Sequence, residues 1–446
     1  MRRNAFLTVS ALAVCLACFA ERPSVDPGSI SVSQDVPGGA VKIAYTLSNG
    51  PAIVTVDVQT NAGGAAWASV GDSHLGSLCG DVNRIVGGEN SAELEAWWVP
   101  SVDLPGDATF DSANIRAVVT AWATNMPPDY MAFDTMNGTR RYFTSADALP
   151  LGGLTNDLYR KEYMVFRKVT AANIPWRWGA PNWEQEKMRG KPTNHWAHVV
   201  TLTKDYYLGV FEVTVGQYKR IMPDATIAHD EFNGMSAASG ISYNAIRGAS
   251  LGVGWPNADP AVAHAVDSGS FLYNMRAIAN NELLFDLPTE AQWEYACRAG
   301  VTNTWYNGKN ASNDGNTSDN NLGKAADGYN CIAFYYILCY DSKAPFYSQR
   351  YPHHVGKFIP NAWGFYDMLG NVNEWCLDWY ATHRSRAAET DPAGPATGTI
   401  RVYKGGCFVS WAQYVRAAAR AGFDPNRSDI VNGYSTAGFR VCLTLD

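Results

Sequence analysis

The sequence predicts two units in series: an all-β sandwich of the immunoglobulin or fibronectin kind over residues 28–155, then a loop-rich α+β domain over residues 160–446. Three observations carry this. From about Ser29 to Tyr142, apolar and polar residues alternate with period two and no helical spacing intrudes. Helical spacing comes later, at Val215–Met222 and Pro288–Gly300. The remainder is turn-rich, and the chain's 40 Gly, 22 Pro, 15 Trp, 23 Tyr and 17 Phe suit irregular segments pinned by large rings.

Arg2-Arg3 followed by an apolar run from Ala5 to Ala20 has the pattern of a secretory signal over residues 1–20, too short to span a bilayer comfortably. Two readings stay open. Cleavage after Ala20 gives a freely secreted protein, whereas acylation of Cys18 gives a lipid anchor at the cell envelope, although Cys15 stands where a lipobox prefers Leu. Beyond the signal, Val41–Leu47 and Ile53–Gln59 read as strands joined by the turn Asn49-Gly50-Pro51. Further strands are expected at Leu94–Val99 and Ile115–Ala123. Short strands at this spacing indicate the sandwich, without the paired Cys and central Trp of immunoglobulin domains, since only Cys79 falls here. Polar, Gly-rich Asp147–Tyr159 marks the boundary between the units.

Composition excludes other classes. With 46% apolar and 17% charged residues the chain is neither disordered nor a coiled coil. A net charge of −7 without long basic runs argues against nucleic-acid binding. After the signal no stretch is apolar for ~18 residues, so no membrane span is expected. The cysteines beyond the signal are Cys79, Cys297, Cys331, Cys339, Cys376, Cys407 and Cys442, an odd number, so at least one stays free or pairs outside the chain.

In the second unit Tyr206–Thr214 is strand-like. In Pro288–Gly300, Thr289 is the N-cap candidate, Gln292 completes a capping box and Gly300 ends the helix. Trp293, Ala296 and Cys297 share a face of that helix. Asn303–Asn330 is either a disordered insert or a loop organised by an ion. His195 and His198 point apart along a strand, and adjacent His353 and His354 also face apart, so neither pair chelates. No phosphate-binding loop or His-Glu-x-x-His zinc motif occurs.

Five ordered stretches carry a resemblance: YYLGVFEVTVGQY (Tyr206–Tyr218), LPTEAQWEYACRAG (Leu287–Gly300), NAWGFYDMLGNVNEWCLDWY (Asn361–Tyr380), RVYKGG (Arg401–Gly406) and GFRV (Gly438–Val441). Together they resemble the sulfatase-modifying factor family, whose formylglycine-generating-enzyme-like fold is an elaborated C-type-lectin-like domain. That family includes copper-dependent oxidases, non-haem-iron sulfoxide synthases and members that only bind ligands, so fold alone does not decide function. The iron-dependent relatives carry their metal on a His-rich helical domain that has no counterpart here.

The oxidases hold Cu(I) on two thiolates, which the resemblance places at Ser410 and Val415; neither residue can supply one. The oxidases' His next to the first thiol falls on Trp411, a Trp before the acidic residue falls on Asn373, and the Ser after the Gly pair becomes Cys407. Cys407 could be a relocated ligand, pair with Cys376 or sit buried. No copper is therefore expected. The resemblance also implies a structural calcium at the side chains of Asp367 and Glu374 and the carbonyls of Gly370 and Val372, an oxygen set that suits the ion. Alternatively these carboxylates cap the turn or pair with an Arg. A second calcium is implied upstream, with Asn321, Asp327 and Asp341 as candidates. A disulfide between Cys297 and Cys442 is implied as well, but Cys442 sits one residue late, which reverses its facing on a strand.

Cys407–Asn432 corresponds to the family's active or ligand-binding groove, and here it offers aromatics, amides and Arg, with Ser410, Trp411, Tyr414, Arg416 and Arg420 as the expected groove residues. Several of these rings could instead be core. The reading is an exported, calcium-stabilised binding module for a peptide, protein or glycan, without catalytic residues. The alternative is an oxidoreductase of altered active site.

Overall fold

The computed structural model describes residues 21–36, 39–61, 66–88, 92–104, 112–187, 196–227, 229–249, 254–310, 333, 350–382, 386–427 and 435–445. The expected signal, Cys331, Cys339, His195 and the second calcium's Asn321, Asp327 and Asp341 lie outside these residues.

The first unit contains β1 (Ser24–Val25), β2 (Ser31–Gln34), β3 (Val41–Ser48), β4 (Ala52–Thr60), β5 (Ala68–Ser69), β6 (Cys79–Gly80), β7 (Ile85–Val86), β8 (Ala92–Trp98) and β9 (Ile115–Ala123). They form two antiparallel sheets, one in the order β1-β3-β8-β6 with β2 beside β3, the other β5-β4-β7 with β9 beside β4. Strict alternation along β3 sends Val41, Ile43, Tyr45 and Leu47 inward, against Val54, Val56 and Val58 of β4 and Ile115 of β9.

The first unit ends earlier than the sequence indicated. β10 (Tyr130–Asp134) and β11 (Arg140–Phe143) were expected in the sandwich, but they pair instead with β12 (Tyr163–Val169), and the sheet continues through β15 (Tyr206–Gly209) to β21 (Cys442–Thr444). Asp147–Tyr159 is thus a connection within the C-terminal unit. The reason is burial on both faces: Met131 and Phe133 pack with Phe166 and Tyr207, whereas Tyr130 and Ala132 pack with Val165 and Val210. Alternation identifies a strand but not the sheet it joins. The two units meet where Ile53 enters this second core and Asn83 O accepts the Tyr142 amide at 2.8 Å.

Two further small sheets complete the C-terminal unit. One contains β13 (Ile174–Trp178), β14 (His198–Leu202) and β17 (Glu389–Thr390); the other has the order β19-β18-β16-β20, formed by β16 (Asn373–Trp379), β18 (Arg401–Lys404), β19 (Ala421–Phe423) and β20 (Ala437–Gly438). The strand expected over Tyr206–Thr214 stops at Gly209; Thr214 instead caps the helix Val215–Ile221 through a capping box with Gln217. Thr289 and Gln292 cap the helix Glu290–Arg298 in the same way, and Ala299 and Gly300 both take positive φ at its end. That helix is buried on every side, charged residues included. No helix among the described residues is long and apolar enough to cross a membrane.

Candidate functional site

β16 and β18 lie side by side, with Glu374 opposite Lys404. After Lys404 the chain reverses at Gly405 and Gly406, both at positive φ (85° and 75°). A Cβ on Gly406 would stand 3.0 Å from Val415 Cγ2 and 3.4 Å from Ser410 Cβ, so glycine is required for this approach. The same contacts show that Ser410 and Val415 flank one glycine. A neighbouring turn docks here: Gly370 N donates to Gly405 O at 3.0 Å and Phe408 N to Asn371 O at 2.9 Å.

Above this turn opens a cleft of about 410 Å³, whose lining includes Asn373, Tyr403, Ser410, Trp411, Gln413 and Tyr414. Trp411 and Tyr414 are 44% and 39% exposed, so these two rings are surface and not core. No cysteine is among the lining residues. Of the five groove residues expected from sequence, Ser410, Trp411, Tyr414 and Arg420 line the cleft and Arg416 does not. Arg416 is buried, bonded to the Glu184 carboxylate and, at 2.7 Å, to Gln413 O. Phe408, in the same segment, is core. Sequence position around a turn does not tell inward from outward residues, and Glu184 lies too far away in the chain to announce itself as a partner.

The cleft floor is a closed charge network that the sequence reading missed. Lys404 Nζ lies 2.9 Å from Glu294 and 3.7 Å from Glu290. Arg420 binds both oxygens of Glu290, at 2.8 and 3.0 Å, and stacks over Tyr380. Glu294 also holds Arg298 at 2.8 Å, and Asp378 accepts the Glu290 amide at 2.7 Å. Three carboxylates thus face three cations, all buried. The legible signal was Glu290 and Glu294 four residues apart on a capped helix.

Behind the turn, Asp367, Glu374 and Glu212 are all buried. Arg440 Nε and Nη2 each reach Glu374 at 2.7 Å, and Trp293 Nε1 donates to it at 2.7 Å. Glu374 therefore makes the arginine pair that the sequence left open, and one of its roughly four lone-pair sites is unspent. Asp367, at φ 56°, accepts the Gly356 amide at 2.7 Å. Burial pushes its carboxyl up to about 6, partly offset by that amide and by Arg440. Burial, with the Asp367 and Glu374 charges, also raises Glu212 well above the usual range, despite the Val372 amide. Three buried acids against two guanidinium groups, Arg440 and Arg160, leave a surplus of acid that fits a cation. Among the described residues, however, no three His, Cys, Asp or Glu side chains form a metal set, so a calcium here would rest on the carbonyls of Gly370 and Val372 with Asp367 and the free valence of Glu374. Glu212 was legible as a lone acid in the apolar run Val210–Val213.

Cys297, Cys376, Cys407 and Cys442 are free, buried thiols, so neither the Cys297–Cys442 nor the Cys376–Cys407 pairing forms; Cys79 is free and exposed. Cys442 Sγ faces Gln292 Oε1 at 3.8 Å, in line with its reversed facing. Cys407 Sγ lies 3.2 Å from Ser410 Oγ, and burial raises its thiol. His353 and His354 do not face apart as expected: their rings are 4.7 Å from each other and both pack on Phe232, because this segment is irregular and strand alternation does not apply. Gly248-Ala249-Ser250-Leu251-Gly252 spells Gly-x-Ser-x-Gly, but its Ser250, Leu251 and Gly252 lie outside the described residues.

Residues 179–445 match the sulfatase-modifying factor enzyme 1-like domain. The chain is 34% identical over 158 residues to the formylglycine-generating enzyme of Thermomonospora curvata, covering 34% of this chain and 48% of that one. It is 35% identical over 167 residues to that of Mus musculus, covering 34% and 38%. To the serine/threonine-protein kinase pkn1 of Chlamydia pneumoniae it is 36% identical over 163 residues, covering 36% and 21%. The matches thus span about half or less of these relatives' length. Among solved structures, the Treponema denticola variable protein 1 superposes with a TM-score of 0.43 at 22% identity, covering 63% of this chain and 95% of that one. PvdO from Pseudomonas aeruginosa gives 0.44 at 20% identity, covering 63% and 95%. With its family match spanning most of the C-terminal unit, the chain belongs to the sulfatase-modifying factor enzyme 1-like family.

Proposed function

We propose that this is an exported, calcium-stabilised binding protein that takes a peptide, protein or glycan in the cleft beneath Trp411 and Tyr414, and that it does not generate formylglycine. The immunoglobulin-like sandwich serves as a spacer, and the apolar segment over residues 1–20 directs export. The carrying observation is the chemistry of the cleft. The positions matched to the oxidases' cysteines hold the Ser410 hydroxyl and the Val415 aliphatic branch, side by side at Gly406, and neither binds Cu(I) as a thiolate does. A bound calcium would neutralise the buried acids behind the turn and fix the Gly370–Val372 backbone against Gly405.

The purified protein should take up no stoichiometric Cu(I) and consume no oxygen with thiol substrates. Copper binding at one equivalent with Cys-dependent oxygen uptake would refute the reading. A second reading, an altered oxidoreductase, is favoured by one contact, Cys407 Sγ against the cleft-lining Ser410 Oγ. It requires Cys407→Ala to abolish such uptake.

A further inference from the structure

We infer that the cleft binds an uncharged carbohydrate; this rests on reading the domain as a binding module. Two cationic side chains, Lys404 and Arg420, are among the lining residues, and both are turned inward. The Lys404 side chain has no exposure and that of Arg420 has 4%, each engaged by carboxylates of the helix Glu290–Arg298. Among the described residues, no acidic one lines the cleft. The other polar groups in its walls are neutral: the amides of Asn373 and Gln413 and the hydroxyls of Tyr403 and Ser410, of which Asn373 also donates to Thr436 Oγ1 at 3.1 Å and Ser410 Oγ accepts the Cys407 amide at 3.0 Å. Such a surface has no charge with which to desolvate a phosphate, a carboxylate or a basic peptide side chain.

The rim supplies the other half of the recognition. Trp411 leads into a single 3-10 turn, Ala412–Tyr414, closed by Tyr414 N donating to Trp411 O at 2.8 Å. Both rings are exposed and both line the cleft, so each offers an apolar face at its mouth. Flat apolar ring faces beside amides and hydroxyls match a pyranose, whose C–H faces stack on aromatics while its hydroxyls exchange hydrogen bonds around its edge. The cleft volume, about 410 Å³, lies in the range of small-ligand sites.

The test is saturation-transfer NMR and calorimetry on the full chain with a panel of uncharged oligosaccharides (cello-, manno-, xylo- and chito-oligomers) and, in parallel, a random peptide library. At least one oligosaccharide should bind, with an affinity unchanged within about twofold when salt is raised roughly tenfold. Trp411→Ala and Tyr414→Ala should each weaken it about tenfold without lowering Tm. Trp97→Ala, on the exposed face of the first unit, should leave it unchanged. Peptide binding that depends on Trp411, with no oligosaccharide bound, would overturn the carbohydrate assignment and leave the binding-module reading standing. If neither panel binds, both fall. Oligosaccharide binding that survives both ring deletions would overturn the assignment to this cleft.

Discussion

Glu374 receives Nε and Nη2 of Arg440, each at 2.7 Å, where neither side chain is more than 1% exposed. The pair joins β16 to the segment after β20, and Arg440 Nη1 also donates to Gly209 O at 2.8 Å, at the end of β15. A buried pair is costly to break from one side, because the remaining charge is stranded. Glu374→Ala and Arg440→Ala should each lower stability by about 3–5 kcal/mol, read as a shift in the urea midpoint at constant slope. A loss under 1 kcal/mol for either would mean the pair is solvated in solution.

Arg416→Ala should behave as a core mutation and not as a groove mutation. Removing the guanidinium strands Glu184, which is fully buried, so Tm should fall by several degrees, corresponding to about 3 kcal/mol or more. Ligand affinity per folded molecule should be unchanged. A selective loss of affinity at constant Tm would return Arg416 to the cleft.

EDTA should lower Tm, and calcium should restore it with a concentration dependence that magnesium does not reproduce. Asp367→Asn should remove that response. If the melting temperature ignores both EDTA and added calcium, no ion occupies the Gly370–Val372 turn.

Acid should weaken the fold through His353 and His354. Burial is the main cause that holds them down, to about 4 and about 3, from 6.5. Both states are neutral above 6.5; below it the unfolded chain takes up protons that the folded one refuses, so stability falls between about 6.5 and about 4, by roughly 1–3 kcal/mol. Asp367 runs the other way, since its raised carboxyl favours folding as pH falls through about 6. The histidine term is therefore isolated by comparison: the loss between pH 7 and 5 in urea titrations should shrink in His354→Phe, which keeps the ring contact with Phe232. An unchanged pH dependence in that variant would show that His354 titrates normally.

The four buried thiols should be silent toward a thiol reagent in the native state. Burial raises each of them, and the reactive species is the thiolate. Native protein should therefore react fast only at exposed Cys79 among the described cysteines, and Cys79→Ser should abolish that phase. Rapid labelling of Cys407 would place its sulfur at the cleft surface.

Local signals in the sequence were read accurately where they depend on near neighbours. The strands around Val41–Leu47 and Ile53–Gln59 follow from alternation, and the Thr289–Gln292 capping box follows from a three-residue spacing. Trp411 and Tyr414, exposed at the cleft, were groove residues only through the family resemblance, with burial left open. Errors arose where the partner lies far along the chain. β10 and β11 alternate like sandwich strands, yet their hydrogen bonds go to β12.

By itself the sequence determined the strands Val41–Leu47 and Ile53–Gln59, the capped helix after Thr289, the five family stretches and the absence of thiols at 410 and 415, because each is written in contiguous residues. Tertiary structure alone decided which sheet Tyr130–Phe143 joins, that Arg416 is spent on Glu184 while Arg420 and Lys404 are spent on Glu290 and Glu294, and hence that the charges among the described cleft residues are turned inward. The physical reason is that a charge's role depends on what is desolvated beside it, and these partners stand more than a hundred residues apart in the chain.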